Sequence, residues 1–309
     1  MASLSEDTKA MIAAICSNDM PRARKAARAA VTNCNTKKDE WFCGKYSKLL
    51  DESINPELLQ LPYQIKGMVI EENLAVTFPT EQYFLSDREA EVIAHIERMR
   101  RIADRLAEMN INYRNATLLH GVSGTGKTMF ARYVAWTFKL PFYYVNFSSL
   151  VDSYMGKTSS NIASVFDYVK TVPCVFMLDE IDAISTRRRK GSSGADGEIN
   201  RITITLLQEF DKVTRNQIII AATNRLDSID EALIRRFSKL HEVTVPTDEE
   251  RREIVKTFIE ASRYEPAFAD CDRLFEETSG MSQARITEAC VEAIVARIDE
   301  EEGGNDANH

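Results

Sequence analysis

No run in this sequence approaches 18 consecutive apolar residues, so no membrane-spanning helix is expected. The opening "MASLSEDTKA" has neither the basic nor the apolar region of a signal peptide. The six cysteines (Cys16, Cys34, Cys43, Cys174, Cys271 and Cys290) are scattered, with no C-x-x-C among them. That spacing reads as free thiols in a reducing cytoplasm rather than a disulfide framework. Histidine is scarce: His95, His120, His241 and His309 stand far apart, and neither a zinc pattern nor H-E-x-x-H occurs. Positive charge is in deficit too. A net charge of −8 weakens any case for broad nucleic-acid binding, leaving Arg187-Arg188-Arg189-Lys190 as the one candidate basic patch.

What is present is an ordinary globular composition, long enough for one large domain or two to three smaller ones. Residues 1–50 read as a small helical domain. Ser3-Leu4-Ser5-Glu6 looks like a capping box, Asn18-Asp19 and Pro21 open a second helix, and Trp41 to Leu50 lie in a third. Such a group is either a docking domain or a packing element. Residues 51–82, with Pro56, Pro62 and Pro79 and one strand over Gly67–Ile70, read as a linker. From Asp87 a long amphipathic helix leads into alternating strands and helices. Strands are expected at 116–120, 142–146, 174–178 and 217–222, and helices at 160–170 and 197–212. Continuous apolar strands such as "CVFML" and "IIIAA" indicate a parallel sheet covered on both faces. The pattern after Pro246 is helical as far as residue 301, and 302–309 read as a flexible acidic tail.

Between the first of those strands and a helix lies "GVSGTGKT". Gly121, Val122, Ser123, Gly124, Thr125, Gly126, Lys127 and Thr128 fill the G-x-x-x-x-G-K-[ST] pattern, with Met129 following. The backbone N–H groups of such a loop wrap phosphates, its lysine reaches the β- and γ-phosphates, and its hydroxyl ligates Mg²⁺. The helix that follows aims its positive N-terminus at the same anion. The strand "CVFMLDE" then delivers Asp179 and Glu180 where an open α/β sheet places its ligand. Asp179 suits the Mg²⁺ shell and Glu180 the polarisation of an attacking water. The next strand ends in Thr223-Asn224, whose amide can hydrogen-bond phosphate and water alike.

With "DEIDAI" (179–184), "LLQEFD" (206–211) and "ATNRLDSIDEALIRRFSKLHEVTVP" (222–246), the sequence resembles the AAA family of AAA+ ATPases over about residues 83–300. The "IDEALIRRFSK" portion is similar to the katanin and spastin branch. The resemblance implies an α/β P-loop NTPase fold, with a five-stranded nucleotide-binding sheet over 83–245 and a helical lid over 246–301. It also implies a ring of six subunits with ATP and Mg²⁺ between them. Glu180 takes the place of the catalytic glutamate and Asn224 of the sensor residue, while Arg235 and Arg236 match the arginine fingers that reach a neighbour's γ-phosphate. In "TSGMSQARITEACVEA" (278–293), Ala284 keeps the position near the adenine, whereas Gln283 replaces glycine and Arg285 an acidic residue. Arg285 is either a sensor arginine or a surface one. Lys239 stands where many members carry a further arginine.

"SSLVDSYMGKTSSNI" resembles the substrate-gripping loop, whose aromatic, hydrophobic and glycine residues would here be Tyr154, Met155 and Gly156. Lys157 and Arg187–Lys190 would make such a pore entrance basic. Together these features imply a ring-forming, cytoplasmic Mg-ATP hydrolase that remodels or threads a protein substrate. A nucleic-acid-directed ATPase, such as a helicase loader or transposition regulator, and a nucleotide-switched scaffold stand as alternatives.

Overall fold

The computed structural model describes residues 5–16, 20–33, 43–44, 46, 61–111, 113–153, 157–184, 194–213 and 216–306. The chain divides into two compact units, Met1–Pro62 and Tyr63–His309.

In the first unit, α1 (Glu6–Cys16) and α2 (Met20–Thr32) pack together. Ser5 caps α1, its hydroxyl accepting the Thr8 backbone N–H at 3.2 Å, while Ser3 of the expected capping box lies outside the described residues. Asn33 Nδ2, just beyond α2, donates to Asp7 Oδ2 at 2.9 Å near the start of α1, so the two helices run antiparallel. Buried Ala14, Ala23 and Ala26 let them approach closely. The third helix expected around 40–50 falls largely outside the described residues.

The second unit is built on six strands: β1 (Ile70–Glu72), β2 (Asn115–His120), β3 (Phe142–Asn146), β4 (Cys174–Asp179), β5 (Gln217–Thr223) and β6 (Lys239–Glu242). Their order is β1-β3-β4-β5-β2-β6. Five strands are parallel, and β1 adds an antiparallel edge to β3. β5 is buried from end to end and β4 as far as Leu178, as their continuous apolar runs require. Helices cover both faces, which fixes the α/β class. On one face, α3 (Leu74–Thr77), α4 (Asp87–Glu108) and α5 (Lys127–Phe138) bring Leu74, Val92, Ile96, Phe130 and Val134 against Val175, Met177, Ile218 and Ile220. The other face takes α7 (Thr158–Val169), which follows α6 (Phe147–Ser153), and α8 (Gly194–Asp211). There Phe166 meets Phe176 edge-on at 5.2 Å and approaches Phe210 at 6.2 Å.

Two readings change. Residues 63–82 are built into this unit instead of linking to it. The strand in this stretch is Ile70–Glu72, not Gly67–Ile70, and Leu74 and Phe78 are buried in the core. Phe78 sits 5.5 Å from the Tyr83 ring and 5.9 Å from that of Tyr133. Phe78→Ala is therefore expected to cost ~3 kcal/mol, lowering the melting temperature by roughly 6–12 °C in calorimetry. A linker residue would leave it unmoved. The sheet accordingly has six strands where the resemblance implied five, the sixth being this edge.

The four-residue α9 (Glu231–Ile234) precedes β6, and α10 (Asp248–Ser262), α11 (Cys271–Glu277) and α12 (Gln283–Asp306) follow it. Thr247 and Glu250 form a reciprocal capping box at the start of α10. These helices share their own core of Ile254, Val255, Phe258, Ile259, Leu274, Ile286 and Cys290. α12 runs on to Asp306, past the point where the acidic tail was expected to begin.

Candidate functional site

The loop between β2 and α5 has a backbone that only glycine accommodates at its ends. Gly121 has φ +143°, and a Cβ there would stand 2.1 Å from the Val243 carbonyl oxygen; Gly126, at φ +97°, would bring one within 2.3 Å of Gln283 Oε1. Thr125 Oγ1 donates to the Val122 carbonyl at 2.9 Å and closes the turn. Lys127 Nζ folds over it, donating to the Gly121 and Val122 carbonyls at 2.8 Å each. Burial lowers the Lys127 pKa, and the nearby charges of Asp179 and Asp182 oppose that shift.

β4 delivers its carboxylates opposite this loop. Thr128 Oγ1 donates to Asp179 Oδ2 at 2.9 Å, and the Tyr144 hydroxyl donates to the same oxygen at 3.2 Å. The Glu180 backbone N–H donates to Asp179 Oδ1 at 2.9 Å. Glu180 itself is left-handed, with φ 53°. A non-glycine residue held there stores on the order of 1–2 kcal/mol, as functional positions often do. Its carboxylate accepts from Asn146 Nδ2 at 3.1 Å, while Asn146 Oδ1 takes the Ser149 N–H at 2.9 Å, which fixes the direction of the amide. At the end of β5, Thr223 Oγ1 donates to Asp182 Oδ1 at 2.8 Å.

Together these elements line a cavity of about 540 Å³. One wall is Ser123, Gly124, Gly126, Lys127, Thr128 and Met129; a second is Asp179, Glu180 and Asn224. The remaining walls come from Pro79, Gln82 and Tyr83 and, after β6, from Phe258, Gln283, Ala284 and Thr287. Ala284 N–H donates to the Gly124 carbonyl at 2.9 Å, joining the start of α12 to the glycine loop. The combination of a glycine cradle, a lysine and a hydroxyl–carboxylate pair fits a nucleoside polyphosphate with Mg²⁺. No group of three His, Cys, Asp or Glu side chains is gathered among the described residues.

The sequence-predicted residues are not all brought together. Arg235 is exposed and pairs with Glu231 at 3.2 Å, while Arg236 donates to Asp211 at 2.8 Å and to the Ala232 carbonyl at 2.7 Å. Both precede β6, whose Lys239 pairs with Thr117. They therefore lie at the N-terminal end of the parallel strands, whereas the cavity lies at the C-terminal end, a strand length of roughly 13 Å away. Arg285 is exposed and does not line the cavity. Tyr154, Met155, Gly156 and Arg187–Lys190 lie outside the described residues. Sequence reasoning missed Tyr144, Asn146 and Asp182. The signal available for Asn146 was its place at the C-terminal end of the strand beside "CVFMLD", where polar residues face the ligand.

Residues 117–245 match the family model described as the ATPase family associated with various cellular activities (AAA). The chain is 37% identical over 186 residues to an ATP-dependent zinc metalloprotease FtsH 3 of Phytoplasma mali, which covers 59% of this chain and 31% of that protein. It is 37% identical over 196 residues to a proteasome-activating nucleotidase of Methanosarcina mazei, covering 62% and 46%. With the nucleotidase of Methanothermobacter thermautotrophicus the identity is 33% over 243 residues, covering 77% and 58%. The chain thus spans between about a third and somewhat over half the length of these curated relatives. None of its described helices is long and apolar enough to cross a membrane.

Proposed function

The chain belongs to the AAA family of ATPases, and from that premise we propose that it hydrolyses ATP and works as a cytoplasmic, Mg²⁺-dependent hexameric ring that remodels or threads a protein substrate. The observation that carries this reading is the bond from Thr128 to Asp179 across the cavity, beside Lys127 and Glu180. Bound Mg-ATP supplies the cleavable phosphoanhydride and the cation that offsets its charge. Lys127 pairs with the terminal phosphates, and the loop N–H groups from Gly121 to Met129 hold the rest. Thr128 and Asp179 offer oxygen ligands to Mg²⁺, Glu180 polarises the attacking water, and the Asn224 amide orients it. Ala284 borders the nucleotide from the helical segment 246–301, which acts as the lid.

Arg235 and Arg236 cannot serve the cavity of their own chain, because the length of the sheet separates them from it. In a head-to-tail ring they reach the site of the next subunit. Tyr154, Met155 and Gly156 grip the substrate, an aromatic clamp suiting an extended polypeptide without demanding one sequence.

Tyr154→Ala tests the remodelling step. ATP binding, assembly and basal hydrolysis should persist while substrate remodelling fails. Retained remodelling, or a general loss of folding, would overturn the assignment. Capture with Glu180→Gln, which should stall with its substrate held, identifies that substrate. Recovery of nucleic acid in place of protein, with binding that weakens steeply in salt and depends on Arg187–Lys190, would favour a nucleic-acid-directed ATPase.

A further inference from the structure

We propose that Tyr144 is a positioning residue for the metal site: its hydroxyl fixes the Asp179 carboxylate and borders the amide that holds Glu180. This rests on the hydrolase reading above. Tyr144 lies in β3, opposite Met177 of β4, and shares one face of the strand with Phe142 and Asn146. The Phe142 and Tyr144 rings flank the Arg132 guanidinium, whose carbon lies 5.7 and 6.0 Å from their centres. Arg132 is itself clamped by Glu72 of β1 through two bonds of 2.8 Å. A ring braced in this way delivers its hydroxyl to a defined place.

That place is 3.2 Å from Asp179 Oδ2, the oxygen that also receives the Thr128 hydroxyl. With the Glu180 N–H on Oδ1, three donors converge on one carboxylate and leave it a single orientation. The Tyr144 oxygen also stands 3.5 Å from Asn146 Nδ2, which donates to Glu180. One side chain therefore lies against the Asp179 carboxylate and against the amide that holds Glu180. A phenylalanine would fill the same space beside the Arg132 guanidinium, so packing alone does not call for the hydroxyl. Partners that orient a metal ligand in this manner are typically worth about 10- to 100-fold in metal affinity or activity.

The test is Tyr144→Phe in the full chain. ATP turnover should fall about tenfold, and the Mg²⁺ concentration for half-maximal turnover should rise by a similar factor. The deciding readout is equilibrium binding of a fluorescent ATP analogue with and without EDTA. The affinity that Mg²⁺ adds should shrink about tenfold, while affinity in EDTA and the melting temperature stay at wild-type values. An undiminished Mg²⁺ contribution would overturn the proposal. So would a parallel loss of EDTA-state affinity and melting temperature, which marks a packing role. This binding measurement decides on Tyr144 whether or not the wild-type protein releases phosphate, so failure of the hydrolase reading shows separately.

Discussion

Lys127→Ala should lose ATP binding by roughly 10²-fold, whereas Glu180→Gln should bind ATP normally and turn it over about 10²–10⁴-fold more slowly. The two effects differ in kind because the side chains stand on opposite walls of one cavity. Lys127 is the cation of the glycine loop, 7% exposed, and its ammonium bridges the Gly121 and Val122 carbonyls. Removing it takes away both the charge opposite the phosphates and a brace of the loop itself. Glu180 is directed into the cavity from the strained turn after β4 and takes its hydrogen bond from Asn146. Glutamine keeps that shape and loses only the charge proposed to polarise water. Titration calorimetry with ATP and a phosphate-release assay separate the two. Normal hydrolysis by Glu180→Gln would remove that residue from the mechanism, and unchanged affinity in Lys127→Ala would remove the loop from phosphate binding.

A second large effect concerns the arginines. Arg236→Ala should lower turnover 10³–10⁵-fold, although the side chain is far from the cavity of its own chain. On the same proposal, hydrolysis per subunit should rise steeply with protein concentration. The sharper experiment mixes Arg236→Ala subunits with Lys127→Ala subunits. Each is inactive alone, but where they meet, one interface combines an intact loop with an intact arginine and should regain activity. Mixed assemblies that show no recovery would count against arginines acting between subunits. Because Arg236 also bonds Asp211 and the Ala232 carbonyl, melting curves of the variant must match wild type for the comparison to hold.

Much of this was legible from short-range pattern. The strands at 115–120, 142–146, 174–179 and 217–223 carry apolar runs with polar residues at their ends, and burial on both faces is what such runs require. The glycine loop was legible for a different reason: positive φ and a clash at 2.1 Å leave few other residues possible at Gly121. β1 was not. "IEE" has no alternation to reveal a strand, and its pairing with β3 exists because Leu74 and Phe78 bury beside it and Glu72 clamps Arg132. The prolines around it pointed to a linker, and tertiary packing overrode them. Tyr144 and Asn146 escaped notice because their role is set by register: β3 and β4 align Asn146 with Asp179, a pairing that no local spacing encodes. The separation of Arg235 and Arg236 from the cavity likewise follows from the direction in which β6 enters the sheet.

The position of those arginines also shapes how a defect would be inherited. If the arginines act between subunits as proposed, a subunit with a damaged glycine loop would silence its own site, but one that lacks Arg236 would silence the site of whichever copy sits beside it. In a cell producing both forms, the altered chain would be incorporated alongside normal ones and would spoil a product it does not itself encode. Loss at this end of the sheet should therefore behave as dominant, and its severity should follow the share of altered chains in the pool.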